Sequence, residues 1–536
     1  MRPSSPWCKS RRGLEAGDAP RWQDATTDNT GPAAGHRRAI GCALVTLGLL
    51  ATGSAPATAS QRQEASRTFD RTLPVAPGQR LRVEHTLGDV RITTHARGEL
   101  RVQAEIRVSA ESQPAAAELV EQIRIEVVED PAAVTIRTHY PDRASRRSRR
   151  DVSYSVDYSV VMPERMPLDV RNSFGAVTVT GVQADAAIVN AHGTLRLADG
   201  AGRHRLENSF GPVDVARLAG DVTVTGTNGH VSAATIGGQL TVTNRFGRVT
   251  ATAVRGSAHI VNSNGQVEVT DAGSANVTSS FGAVTLRDVR ANVVVASSNG
   301  SVTAATIAGA ARVKGSFGNV QLTGVTGDVT VENANGDVRL ANVGGAVDVR
   351  GSFGRVEAQG VKAGVRIATA NSSVRVTDAG GPVFIKTTFG LVVADGIRGP
   401  LTVDNANGGV QASGITGGAE VKTSFGPVML SEVDGRIDVR NQNGAIDVAP
   451  AAKPGSCHDT TLVTSFAPIQ VRLPPGGYVV SARTSFGRIH SEIPITATGA
   501  LGNGALSGTI GPGGCALQLT NSNGDIRILK GVQASR

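Results

Sequence analysis

Aromatic side chains are scarce, at 3% of 536 residues, and both tryptophans, Trp7 and Trp22, lie within the first 59. A Trp-lined sugar cleft is therefore excluded from the rest of the chain. Helix-favouring Leu, Glu and Lys are also thin, while Val, Thr, Ala, Asn and 65 Gly dominate. That balance favours short strands joined by tight turns. Of four cysteines only Cys457 and Cys515 follow residue 59. They are a candidate disulfide in an oxidising compartment, or two separate buried thiols, since spacing cannot show that they meet. No His/Cys/Asp cluster has metal-ligand spacing, so no metal or cofactor is expected.

Long apolar runs are missing too. The longest stretch, Ala39 to Leu50, follows His36-Arg37-Arg38 and precedes Ala57-Thr58-Ala59. A basic region, a short apolar core and an A-x-A site make a signal peptide with cleavage expected after Ala59. The run is short for a membrane span, so membrane contact is expected only through an uncleaved leader. The chain carries a formal charge of +9. Residues 1–59 hold seven Lys/Arg and four Asp/Glu, or +3, which leaves +6 for the remainder. Basic charge concentrates at Arg143, Arg146, Arg147, Arg149 and Arg150. These form either a patch for an anionic partner or a solvated hairpin tip. Export argues against nucleic acid.

What is abundant is a repeat. Corners recur at Phe174-Gly175, His192, Phe210-Gly211, Asn228-Gly229, Phe246-Gly247, Asn264-Gly265, Phe281-Gly282, Asn299-Gly300 and Phe317-Gly318. They continue at Asn335-Gly336, Phe353-Gly354, Asn371, Phe389-Gly390, Asn407-Gly408, Phe425-Gly426 and Asn443-Gly444. Every step is 18 residues except the 17 between Asn264 and Phe281. The unit is thus a 36-residue double repeat of two 18-residue rungs. Within a rung, Val213 and Val215 alternate, Gly220 marks a second turn, and Val222 and Val224 alternate again. Such a rung cannot bury its apolar face alone, so neighbours must stack on it. Sixteen corners predict a rod on the order of 70 Å long.

The Gly after each corner is expected at positive φ, and corners with Ser372 or Ala467 there are expected to be reshaped. Ten of twelve Phe occupy the corner, which suggests an apolar structural seam. Phe317→Ala is expected to cost about 3 kcal/mol by loss of a buried ring. Binding is then expected on the variable outward positions between corners, or at the arginine-rich tip.

No constellation of residues in the sequence carries reaction chemistry. Asp221 and Asp328 share a rung position, but the rungs between mostly lack it, unlike a calcium-binding β-roll. Asp348 and Asp438 share a register five rungs apart, too far for a glycosidase pair. The serines before Phe-Gly (Ser209, Ser316, Ser352, Ser424) are turn residues without a His and acid partner. Gly-rich corners lack the strand-to-helix setting of a phosphate loop. Thr223 and Thr241 give way to His259, which ends any regular Thr row. His192 stands at an Asn position as a substitution within the ladder. No catalytic, cofactor-binding or metal residue is assigned.

Outside the repeat, Val75-Ala76-Pro77-Gly78 is a turn and His85-Thr86-Leu87-Gly88 a degenerate first corner. Strands are expected at Leu100–Val108, about Val134–His139 and Val152–Val161, a helix at Pro114–Ile123, and a polar lead over 60–74. A Gly-rich loop, Gly499–Gly514, precedes a last corner at Asn521-Ser522-Asn523-Gly524. The expected organisation is a leader (1–59), a β-rich N-terminal cap with one helix (60–168), repeats (169–449) and a C-terminal cap (450–536).

Together the opening Val75-Ala76-Pro77-Gly78…Leu87-Gly88-Asp89-Val90, the strand Tyr158…Met162-Pro163, the serial Phe-Gly-x-Val and Asn-Gly-x-Val corners, and the close Val471-Arg472-Leu473-Pro474 resemble a bacterial family of exported β-strand-repeat proteins labelled putative adhesins. The resemblance spans about residues 68–531 and implies an unassigned binding role. The expected fold is all-β, a single-stranded β-solenoid (β-helix) with capped ends. The expected function is non-enzymatic binding of a surface, glycan or protein partner. A structural cell-envelope element that pairs end to end, and a carbohydrate-active β-helix enzyme, are the alternatives.

Overall fold

A computed structural model describes residues 62–141, 152–452, 457–498 and 504–531. The leader and the five arginines from Arg143 to Arg150 lie outside the described residues.

Alternation of apolar and polar residues makes each strand present one face to the core. The first strand, β1 (Gln63–Pro74), occupies the segment expected to be a polar lead. It pairs antiparallel along its whole length with β4 (Glu99–Ala110), and Phe69 packs against the core. Between them lie β2 (Arg80–Glu84) and β3 (Val90–His95). The helix α1 (Gln113–Gln122) starts at Ser112, whose hydroxyl accepts the Ala115 N–H. It buries Ala116, Leu119 and Val120. Then come β5 (Arg124–Glu129), which the sequence reading missed, β6 (Ala133–His139) and β7 (Ser153–Pro163).

From β8 (Leu168–Phe174) and β9 (Val177–Thr180) the chain winds as a solenoid. The next rung supplies β10 (Ala186–His192) and β11 (Leu195–Gly200). β10 lies parallel on β8 and β11 parallel on β9. Each rung thus gives one strand to each of two parallel columns, and corner stacks on corner, His192 on Phe174 and Phe210 on His192. Inward side chains such as Val213, Val215, Leu218, Val222 and Val224 are buried. Each contributes about 2 kcal/mol of transfer free energy against the entropy of ordering the chain.

The 17-residue step has a local cause. Strands Val249–Asn264 and Val267–Phe281 run unbroken through the second bend, and their register shifts between Val254 and Ser257. The missing residue falls in that bend, so both columns keep their pairing on either side.

At both ends the pairing turns antiparallel. β1 on β4 and β5 on β6 finish the N-terminal end. At the C-terminal end, Ala505–Ile510 is a strand antiparallel to Tyr478–Thr484, where the sequence suggested a Gly-rich loop. Its polar, Gly-broken stretch hides one short alternation, with Gly508 and Ile510 buried. Cys515–Asn521 inserts between the strands Thr460–Val463 and Tyr478–Thr484. Cys457 and Cys515 form a disulfide with 5.8 Å between Cα atoms. Among the described residues no helix is long and apolar enough to cross a membrane.

Candidate functional site

The corner glycines fix where the corner side chains go. Gly175, Gly193, Gly211 and most of their equivalents take positive φ. Gly229, Gly300, Gly408 and Gly444 do not, which corrects the expectation of a uniform turn. Their need for glycine is steric: a Cβ on Gly229 would lie 1.9 Å from the Gly211 carbonyl oxygen one rung away. Ser372 breaks this rule, and there the strand Val365–Ala368 ends early and Asn371 keeps only isolated bridges to Phe353 and Phe389.

Two residues before most corners stands a polar side chain that ties the turn together, with Gly226, Gly315 and Gly351 in that place on three rungs. Asn208 donates to the carbonyls of Gly193 at 3.0 Å and Gly211 at 2.9 Å. Asn262 donates to Gly247 at 3.1 Å and Gly265 at 2.9 Å, and accepts from Asn244 at 3.3 Å. Asn333, Asn405 and Asn441 repeat the bond, and Ser297 and Thr423 substitute a hydroxyl. This internal ladder is the seam that the sequence reading assigned to the Phe rings. The 18-residue spacing of Asn172, Asn190 and Asn208, resumed after Gly226 at Asn244 and Asn262, was its visible signal.

With its Cα direction set this way, the corner side chain points outward. The corner Phe residues are exposed, from 44% at Phe246 to 57% at Phe317 within the repeats and 83% at Phe486. The buried apolar seam is therefore overturned. The strand's alternation puts the Asn in the wall and leaves the corner, two residues on and past the last core position, on the outer rim. Between the rings the corner Asn side chains lie against the previous rung: Asn335 Nδ2 donates to the Ser316 carbonyl at 3.3 Å and Asn443 to that of Ser424 at 3.2 Å. His192 stacks between Phe174 and Phe210, with ring centroids at 4.6 and 4.8 Å.

The alternation outlasts the sequence period. The register sets Phe466 above Asn443, Asn523 above Phe466, and Phe486 above Asn523. Phe and Asn thus keep alternating in space although the chain visits these rungs out of order. At the other end Leu87 bridges to Phe174, so the row runs from Leu87 to Phe486 over 20 corners.

The row is nearly uncharged. Of the residues just before its corners Arg245 alone carries charge, and its guanidinium lies 5.6 Å from the Phe246 centroid. Charges sit on the strand faces instead, where they pair across rungs. Arg196 meets Asp214 at 3.2 Å and Arg217 meets Asp199 at 2.5 Å. Asp221 and Asp328 accept next-rung N–H groups, of Gln239 and Ala346, each at 2.8 Å. That shared register position is a turn clamp. Asp185 does the same for Arg203, whose N–H and guanidinium hold its carboxyl below the usual range.

Second bends hold a further device. Asp199, Arg217, Thr235, Ala253, Asp271, Asp288, Thr306, Asn342, Asp378 and Glu432 lie in the left-handed region. Gly324, Gly360, Gly396 and Gly414 fill the same place in other rungs. On the outer face a groove of about 450 Å³ runs past Phe384, Pro382 and Pro400, with Arg366 4.7 Å from the Phe384 centroid. Asp348 and Asp438 accept from Arg350 and Arg440 on their own strands. Among the described residues no three His, Cys, Asp or Glu side chains gather as metal ligands.

No family model matches the chain, and no curated protein does. Among solved structures it is similar to a putative cell adhesion protein from Clostridium sporogenes, with 11% identity, a TM-score of 0.19, and coverage of 40% of this chain and 100% of that one.

Proposed function

We infer that the chain is an exported, adhesin-like binding protein without enzymatic activity, and that the outward row of corner side chains is its binding face. The observation that carries this reading is the exposure of ten Phe rings in one nearly uncharged file. Large exposed apolar groups gathered along one line mark an interaction site more often than scattered ones do. Repetition adds avidity, since many weak identical contacts along one rigid face act together. The export signature and the family resemblance of the motifs support the same role. Charged side chains along the edge strand β1, Arg67, Asp70 and Arg71, weigh against end-to-end pairing as the main role, because they blunt an open sheet edge.

Attachment of the exported chain to cells and to immobilised polysaccharides and proteins tests the reading. The comparison is a variant with Phe246, Phe281, Phe317 and Phe353 changed to Asn, the residue that alternate rungs already carry. Attachment should fall at least tenfold while the fold persists. Equal attachment of both forms, or reproducible product from a polysaccharide panel, contradicts it.

A further inference from the structure

We propose that the partner of the corner row is a second copy of this chain, docked antiparallel, row on row, about a two-fold axis perpendicular to the rod. The proposal rests on the reading of the row as a binding face and names its occupant.

Area comes first. A Phe side chain offers about 200 Å², and ten roughly half-exposed rings present on the order of 1,000 Å² per copy. Two copies would remove about 2,000 Å², the upper end of a standard stable interface. Periodicity comes second. Rings recur every second rung, about 10 Å, with a shorter Asn between them. A second copy of this chain carries the same spacing over the whole row.

Symmetry then selects the direction. A two-fold axis along the rod sets every corner opposite its own copy, so ring meets ring and Asn meets Asn. A two-fold axis across the rod, passing between adjacent rungs, sets odd corners opposite even ones. In complete overlap eight of the ten Phe then enter the gap over a partner Asn, while Phe466 meets His192 and Phe486 meets Leu87. With 20 corners from Leu87 to Phe486, complete overlap places that axis between Phe317 and Asn335. Phe317 then meets Asn335, and Phe353 meets Asn299. Charge agrees with this arrangement. The chain is basic overall, yet Arg245 is the one charge among the residues just before the corners, and it falls opposite Ala406 rather than another Arg.

Sedimentation equilibrium of the exported chain should give a dimer. The variant with Phe246, Phe281, Phe317 and Phe353 changed to Asn should raise the dissociation constant about 100-fold or more, with circular dichroism unchanged and with the same melting as the parent under dilute conditions where both are monomeric. In a background with Cys8→Ser and Cys42→Ser, Asn335→Cys should form a disulfide-linked dimer on mild oxidation and Asn443→Cys should not. Cross-linking by Asn443→Cys means a parallel pair and overturns the proposal. A monomer at every concentration overturns it as well. If that monomer still attaches to a glycan or cell through its Phe rings, the binding face stands and only its occupant was wrong. If it attaches to nothing, both readings fail.

Discussion

At the level of single residues, the corner shows that spacing and orientation are separate pieces of information. The 18-residue period located every corner in the repeats, and likeness to their motif located the degenerate copy at Leu87 outside them. It did not say which side of the wall the ring occupies. That depends on the glycine that follows and on the Asn two residues before, which takes the inward place. Asn262 bridges two corner carbonyls from a site 1% exposed. Asn262→Ala should cost about 1–3 kcal/mol, because both acceptors lose their buried donor. Urea denaturation measures this, and the cost should exceed that of Phe317→Ala. Second-bend residues make the opposite case. Thr306 has φ +57°, which costs an ordinary residue about 1–2 kcal/mol. Gly324 adopts φ +66° in the equivalent place on the next rung. Thr306→Gly should therefore stabilise by about 0.5–1 kcal/mol, after allowing for the greater freedom of unfolded Gly. Composition announced these bends only in part: Gly, Asp or Asn stands at nine of the fourteen, as the left-handed region favours, but Thr, Ala, Arg and Glu take the same place elsewhere.

Among elements, the N-terminal cap is the part whose chemistry depends on pH. His85 stands two residues before the corner Leu87, in the position that later rungs give to Asn. It is buried edge-on against Tyr158 at 4.9 Å between centroids, and Nδ1 lies 3.1 Å from Thr138 Oγ1. Burial lowers its pKa from 6.5 to about 4, against the Val156 and Leu87 backbone and, after them, Asp157 and Asp89, which push the other way. The same burial pushes the Tyr158 phenol up to about 12. The folded cap therefore holds neutral His85, and the unfolded chain binds the proton more readily. Stability from this group is complete above about pH 6.5 and is lost as the pH falls toward 4, up to about 3 kcal/mol. His204, buried without a partner, shifts in the same direction. His85→Asn should flatten the acid limb of the stability curve, with hydrogen exchange in β2 and β6 as the local readout. Strand and helix positions in this cap were legible from alternation and helical spacing. β1 and β5 were not, because each buries few residues and reads as polar sequence.

For the molecule as a whole, the solenoid and its two-strand rungs follow from period-two alternation within an 18-residue repeat. Continuity of the Phe/Asn row through the C-terminal rungs does not. It depends on Cys515–Asn521 inserting between two earlier strands, an order that the sequence spacing of Phe466, Phe486 and Asn523 conceals. The central claim is that a buried Asn ladder holds the rungs together and the Phe row is free to bind. Thermal denaturation of the variant with Phe246, Phe281, Phe317 and Phe353 changed to Asn tests it most directly, under dilute conditions where the parent chain is monomeric. The account predicts a melting temperature within about 3 °C of the parent. A variant that fails to fold, or that loses the several kcal/mol expected for each buried Phe, would show that the rings belong to the core and contradict it.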